Sequence, residues 1–168
     1  MRKEQTLARR VALFGMLTAL GFIFGFVESM VPLSLGIPGV KLGVANIVTV
    51  VALYLMGPKE ALGVSLVRVV LTGFTFGNIS MMMYSLAGAL LSFTVMYLMK
   101  RSARFGTMGV SIAGGVAHNM GQLIVAALIL ESTNTFYYFP VLLAAGTVTG
   151  ALIGIVARLV LDRLERAR

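Results

Sequence analysis

One arginine, Arg68, stands in the middle of an apolar stretch long enough to form a helix. At 100° per residue, Ser65, Arg68, Thr72 and Thr75 share an arc of about 80°, so they form a polar stripe along one face. A second set, His118, Asn119 and Gln122, follows Gly114 and Gly115 and falls within an arc of about 100°. Asn46 and Thr49 share a face of a third segment, and Lys41 stands at its entrance. No Asp or Glu is placed at the depth of Arg68. A guanidinium without an internal carboxylate suits an anionic ligand, gripped bidentately if the ligand is a carboxylate or phosphate. Lys41 would add a second positive charge. Asn46, His118, Asn119 and Gln122 would orient the ligand by hydrogen bonds, because such groups need partners in a dry interior. The structural alternatives are that Arg68 bonds helix-end carbonyls or braces against Glu28, that Lys41 snorkels to headgroups, and that His118 is a satisfied packing residue.

Other chemistries are excluded by what is missing. The chain has no cysteine, one histidine and one aspartate, Asp162. Disulfides, thiolate metal sites and a Ser/His/Asp triad are ruled out, and no metal site or cofactor is expected. There is no G-x-x-x-x-G-K-[ST] phosphate loop, so the chain does not hydrolyse ATP itself. The glycines between Gly36 and Gly43 follow no strand and make no dinucleotide fingerprint. No paired-Asp motif is present to hold Mg²⁺ against a diphosphate. An enzymatic role is left only as a non-catalytic helper subunit.

The elements that would carry these residues are read from composition. The 168 residues are 58% apolar and 12% charged, and the mean hydropathy is +0.95. A soluble domain has about 25% charged residues. The chain therefore reads as a single all-α integral membrane domain, residues 1–168. Spans are expected at about 7–27, 42–56, 60–77, 80–99, 108–130 and 139–161; a crossing helix needs about 20 residues, so the second is short. The first span follows Arg2, Lys3, Arg9 and Arg10 as a signal peptide would. No small-residue cleavage site comes after it, so it is read as retained.

The net charge of +8 reflects topology. Twelve of the fourteen Lys and Arg residues precede span one, follow span two at Lys59, follow span four, or close span six. Six crossings put all twelve on one side, which the positive-inside rule makes the cytoplasm, with both termini there. Nucleic acid is not an expected partner. The remaining two are Lys41 and Arg68.

Packing in a bilayer relies on small residues and polar contacts. Ala8, Ala12, Gly15 and Ala19 lie on one face of span one, while Gly21 and Gly25 lie roughly opposite. The first face either packs within the chain or docks a partner subunit. Gly146, Gly150 and Gly154 in span six, and Ser85, Gly88 and Ser92 in span four, read as internal packing rows. Met81, Met82 and Met83 read as adaptable apolar fillers.

The block Pro38-Gly39-Val40-Lys41-Leu42-Gly43-Val44-Ala45-Asn46-Ile47, followed by Gly57-Pro58, Arg68 and the His118-Asn119 pair with Gln122, resembles the Gx transporter family. Its members are also labelled heptaprenyl diphosphate synthase component I. The six-span plan is similar to the substrate-binding S components of energy-coupling factor transporters of the bacterial cytoplasmic membrane. That similarity implies capture of a small molecule from outside. It also implies a coupling membrane subunit docked on Ala8, Ala12, Gly15 and Ala19, with cytoplasmic ATPases supplying energy. The synthase label implies instead a non-catalytic subunit in isoprenoid diphosphate chemistry. A third possibility, an assembly factor for a membrane redox complex, implies no small ligand.

Overall fold

A computed structural model describes residues 2–30 and 43–166 of the chain. Six α-helices follow one another: α1 (Arg2–Met30), α2 (Asn46–Leu55), α3 (Pro58–Phe76), α4 (Ile79–Arg101), α5 (Thr107–Ile129) and α6 (Phe139–Arg166). A short 3-10 segment, Thr133–Tyr138, leads into α6. No strand occurs among the described residues.

Among the described residues, four stretches are long and apolar enough to cross a membrane: Leu7–Met30 in α1, α4, α5, and Asn134–Arg166 containing α6. Helix α3 has the length, but Lys59, Glu60 and Arg68 interrupt its hydropathy. Helix α2 has ten residues, about 15 Å at 1.5 Å per residue. That is half of a hydrocarbon core of about 30 Å, so α2 alone does not cross one. Its winding starts early, because Asn46 N–H donates to the Gly43 carbonyl at 2.9 Å.

The surface carries large apolar side chains such as Val11, Ile23, Phe74, Leu128, Val148 and Leu152, all exposed. The interior holds many of the polar ones, including Asn46, Thr49, Ser65, Arg68, His118, Asn119 and Gln122. An apolar exterior around buried polar groups is the arrangement that lipid selects.

Close approaches fix the helix directions. A methyl group added at Gly63, Gly21 or Gly25 would meet Phe14, Arg68 and Thr72 respectively, so α1 and α3 run parallel. Phe22 and Phe26 close their far ends on Phe76, with ring centroids 5.1 and 4.7 Å apart. Helices α3 and α4 run antiparallel through Gly73 against Met82. Helices α4 and α5 do so through Gly88 against His118 and Gly114 against Met96. Helix α6 lies antiparallel on α5 with backbone touching backbone. Methyl groups at Gly150 and Gly154 would lie 2.7 Å from Ile112 Cα and 2.8 Å from Met108 Cα, and Ser111 Oγ donates to the Gly150 carbonyl at 2.7 Å. The Gly146-Gly150-Gly154 row is thus the α5–α6 seam.

These directions bring the start of α1, the start of α3, the end of α4 and the end of α6 to one end of the bundle. Arg10 pairs there with Glu60 at 2.6 Å. Lys100 Nζ donates to the Leu53 carbonyl at 2.6 Å and lies 4.6 Å from the Tyr54 ring centre. It thereby satisfies a carbonyl that the short α2 helix leaves without an intrahelical partner.

Candidate functional site

The site lies toward the opposite end, where α1, α3, α4 and α5 meet the turn that opens α2. Helix α3 supplies Arg68 and Thr72 from its buried stripe, and Ser65 belongs to the same stripe. Thr75, expected on that stripe, is exposed. Its hydroxyl donates to the Leu71 carbonyl at 2.8 Å, so it needs no interior partner.

Arg68 is 6% exposed. Its Nη2 donates to Asn46 Oδ1 at 3.3 Å, which joins two of the expected site residues directly. Its Nε has no hydrogen-bond partner among the described residues. No carboxylate lies within 4.0 Å of it among those residues. Glu28 is the acidic group whose charge acts on Arg68, but its Oε1 accepts from Gly43 N–H at 2.5 Å and Val44 N–H at 3.3 Å. Glu28 therefore ties the end of α1 to the start of α2. It is not a contact brace for Arg68.

His118 is buried between two glycines. A methyl group at Gly43 would stand 2.9 Å from His118 Cδ2, and one at Gly88 would stand 2.9 Å from Nδ1. Gly43 also adopts φ +80, a conformation costly for any residue with a Cβ. Arg68, Thr72, Glu28 and His118 line a common cleft with Met81 and Ser85. Its atom-free space is about 400 Å³ with the mouth included. The interior is tight, with room for roughly one or two waters, so a larger ligand needs the helices to part.

The other expected residues fall elsewhere. Asn119 faces α6, where its Nδ2 donates to the Leu142 carbonyl at 2.7 Å. Gln122 is wholly buried, and neither of its polar atoms has a partner among the described residues. It does not line the cleft. The His118, Asn119 and Gln122 arc is therefore divided between neighbours and does not make one wall. Lys41 lies outside the described residues. Ala8, Ala12, Gly15 and Ala19 are exposed on α1, and a methyl group at Gly15 would meet nothing within 4 Å.

Glu28 as a tether and the glycines at 21, 25, 43 and 88 were not among the expected site features. The signal available was the placement of Gly21 and Gly25 opposite the small-residue face of α1.

The family model described as heptaprenyl diphosphate synthase component I matches residues 17–160. No curated protein and no solved structure matches the chain.

Proposed function

The chain belongs to the heptaprenyl diphosphate synthase component I family; from that starting point, we propose that it is a membrane-embedded substrate-binding subunit, working like the S component of an energy-coupling factor transporter. It captures a small anionic or amphipathic molecule. Partner subunits, a coupling membrane protein and cytoplasmic ATPases, energise its release to the inside. Arg68 neutralises the negative group, Asn46 holds the guanidinium, and His118 borders the ligand. Lys41 adds charge at the entrance, while Asn119 and Gln122 support the wall from behind.

The chain crosses the membrane six times in this reading. The basic end of the bundle is cytoplasmic under the positive-inside rule, and both termini lie there. The exposed face of Ala8, Ala12, Gly15 and Ala19 receives the coupling subunit, since small residues let helices approach closely in lipid.

The observation that carries this reading is Arg68 itself. A guanidinium buried to 6% exposure, with one hydrogen bond and no carboxylate in contact among the described residues, is a costly arrangement unless an anion completes it. The family's description favours a second reading, a non-catalytic subunit of a heptaprenyl diphosphate synthase. A diphosphate head would suit the same guanidinium. Co-purification from native membranes separates the two. Recovery of ATPases with a second membrane protein supports transport. Recovery of a soluble prenyl synthase, with no ATPase, overturns it in favour of the helper role.

A further inference from the structure

The polar residues beneath the cleft are arranged in register. Gly25 meets Thr72 and Gly21 meets Arg68 across the parallel α1–α3 seam. One turn further along the same seam, this register puts position 18 level with position 65, Thr18 with Ser65. Asn46 meets Arg68 across the antiparallel α2–α3 pair, and one turn further the register puts Thr49 level with Ser65. Three helices thus deliver three hydroxyls, Thr18, Ser65 and Thr49, to one level just beneath the Arg68–Asn46 pair.

All three are buried, at 9%, 1% and 1% exposure. None has a hydrogen-bond partner among the described residues. Hydroxyls on membrane helices ordinarily satisfy themselves on their own helix. In this chain Thr75, Thr94 and Thr147 each donate to the carbonyl four residues earlier. Thr18, Thr49 and Ser65 do not.

The atoms left over at these two levels share one property. Arg68 Nε and Asn46 Nδ2 are donors only, and both lack partners among the described residues. The one strong acceptor of the pair, Asn46 Oδ1, is already occupied by Arg68. The hydroxyls can donate as well. Glu28, at the cleft and bonded to the Gly43 and Val44 amides, is not in contact with this set; a buried positive charge with only these donors beside it repels a metal cation, and water would not neutralise it.

We propose that this donor set is an oxyanion site. The ligand's fully ionised carboxylate or phosphate passes below the cleft mouth and is held by Arg68 Nε, Asn46 Nδ2 and the hydroxyls of Thr18, Thr49 and Ser65. The rest of the ligand extends up through the cleft past Thr72 and Met81. This assignment rests on the reading of Arg68 as a ligand-binding group, and it adds the ionic class of the head and the depth at which it sits.

The test uses the full-length protein in nanodiscs, with inorganic phosphate and acetate as probes at matched ionic strength. Thermal unfolding is followed as each is titrated. The wild type is expected to show a saturable rise in midpoint with at least one probe. Thr49→Val and Ser65→Ala each weaken the apparent affinity about 5- to 10-fold, the share of one net hydrogen bond. Asn46→Asp is the decisive variant. It keeps the shape, gives Arg68 a carboxylate partner and removes the donor. It should unfold at a higher temperature than the wild type without anion, and the anion response should vanish. A brace without a ligand would be strengthened by the same change, but the wild type would show no saturable response for Asn46→Asp to abolish.

No response to either probe in the wild type, or a full response in Asn46→Asp, overturns the oxyanion site. The reading of Arg68 is tested separately, and it fails if Arg68→Ala retains every small molecule that the wild type retains. If Arg68→Ala releases a molecule that the wild type retains from membranes, while Thr49→Val, Ser65→Ala and Asn46→Asp all keep it, Arg68 binds a ligand but the deep oxyanion site is wrong.

Discussion

Gly15→Ala and Gly21→Ala form a matched pair on α1. Both sit inside the same helix, and both gain the intrinsic helix preference of alanine over glycine, about 1 kcal/mol in water. Their surroundings differ. The new methyl at position 15 meets nothing within 4 Å, whereas the one at position 21 lies 2.8 Å from Arg68 Cδ and 3.3 Å from Cγ. Carbon atoms rest about 3.5–4.0 Å apart, so Arg68 must retreat by roughly 0.7–1.2 Å. It has little room to do so, because its bond to Asn46 is already 3.3 Å long. Overpacking of this kind costs about 1–3 kcal/mol. The two variants should therefore differ by that amount, with Gly15→Ala equal to or more stable than the wild type and Gly21→Ala less stable. Reversible unfolding in mixed micelles, read by circular dichroism, measures both. Equal stabilities would refute the described packing of α1 on Arg68. Ligand binding should also fall in Gly21→Ala, by about 10- to 100-fold if the charge-assisted bond is lost, and stay unchanged in Gly15→Ala.

Three further outcomes are expected. Gly150→Ala places a methyl 2.7 Å from Ile112 Cα and 2.8 Å from the Ser111 carbonyl oxygen, where backbone cannot yield as a side chain can. It should lose at least the upper part of the range of about 1–3 kcal/mol in the same unfolding assay. Asn119→Ala removes the bond to the Leu142 carbonyl; it should cost about 1–2 kcal/mol and leave ligand affinity within about two-fold of wild type, as a binding titration would show. Lys100→Met deletes both the bond to the Leu53 carbonyl and the contact over Tyr54. Its expected loss is about 1.5–3 kcal/mol, and faster hydrogen exchange at the end of α2 would locate it.

The buried stripe was legible because α3 is a regular helix. Ser65, Arg68 and Thr72 recur at helical spacing, and all three are buried. Periodicity overreached at Thr75, since it does not tell where a helix leaves its neighbours behind. It also placed His118, Asn119 and Gln122 on one arc without saying which helix each would face. Asn119 found α6 and His118 found the cleft, an outcome set by α5 lying between two neighbours. The glycine row of α6 announced a close approach, but its partners Ser111, Ile112 and Met108 emerge only from the antiparallel seam. Glu28 falls just beyond the first span expected at about 7–27. It lies in the last turn of a longer α1 and reaches the amides of Gly43 and Val44, a link across fifteen residues that local spacing does not encode. The late start of α2, relative to the span expected from residue 42, has a local cause in Gly43, whose positive φ opens the turn from which α2 winds.

The central claim is that Arg68 holds a small anionic molecule. Native mass spectrometry of the protein taken gently from its own membranes tests this most directly, with Arg68→Ala prepared alongside. The expected spectrum of the wild type contains the chain plus one small, non-lipid mass that collisional activation releases as an anion. The Arg68→Ala spectrum should contain the folded chain without it. A wild-type spectrum with no such mass, or one that Arg68→Ala reproduces, would contradict the claim.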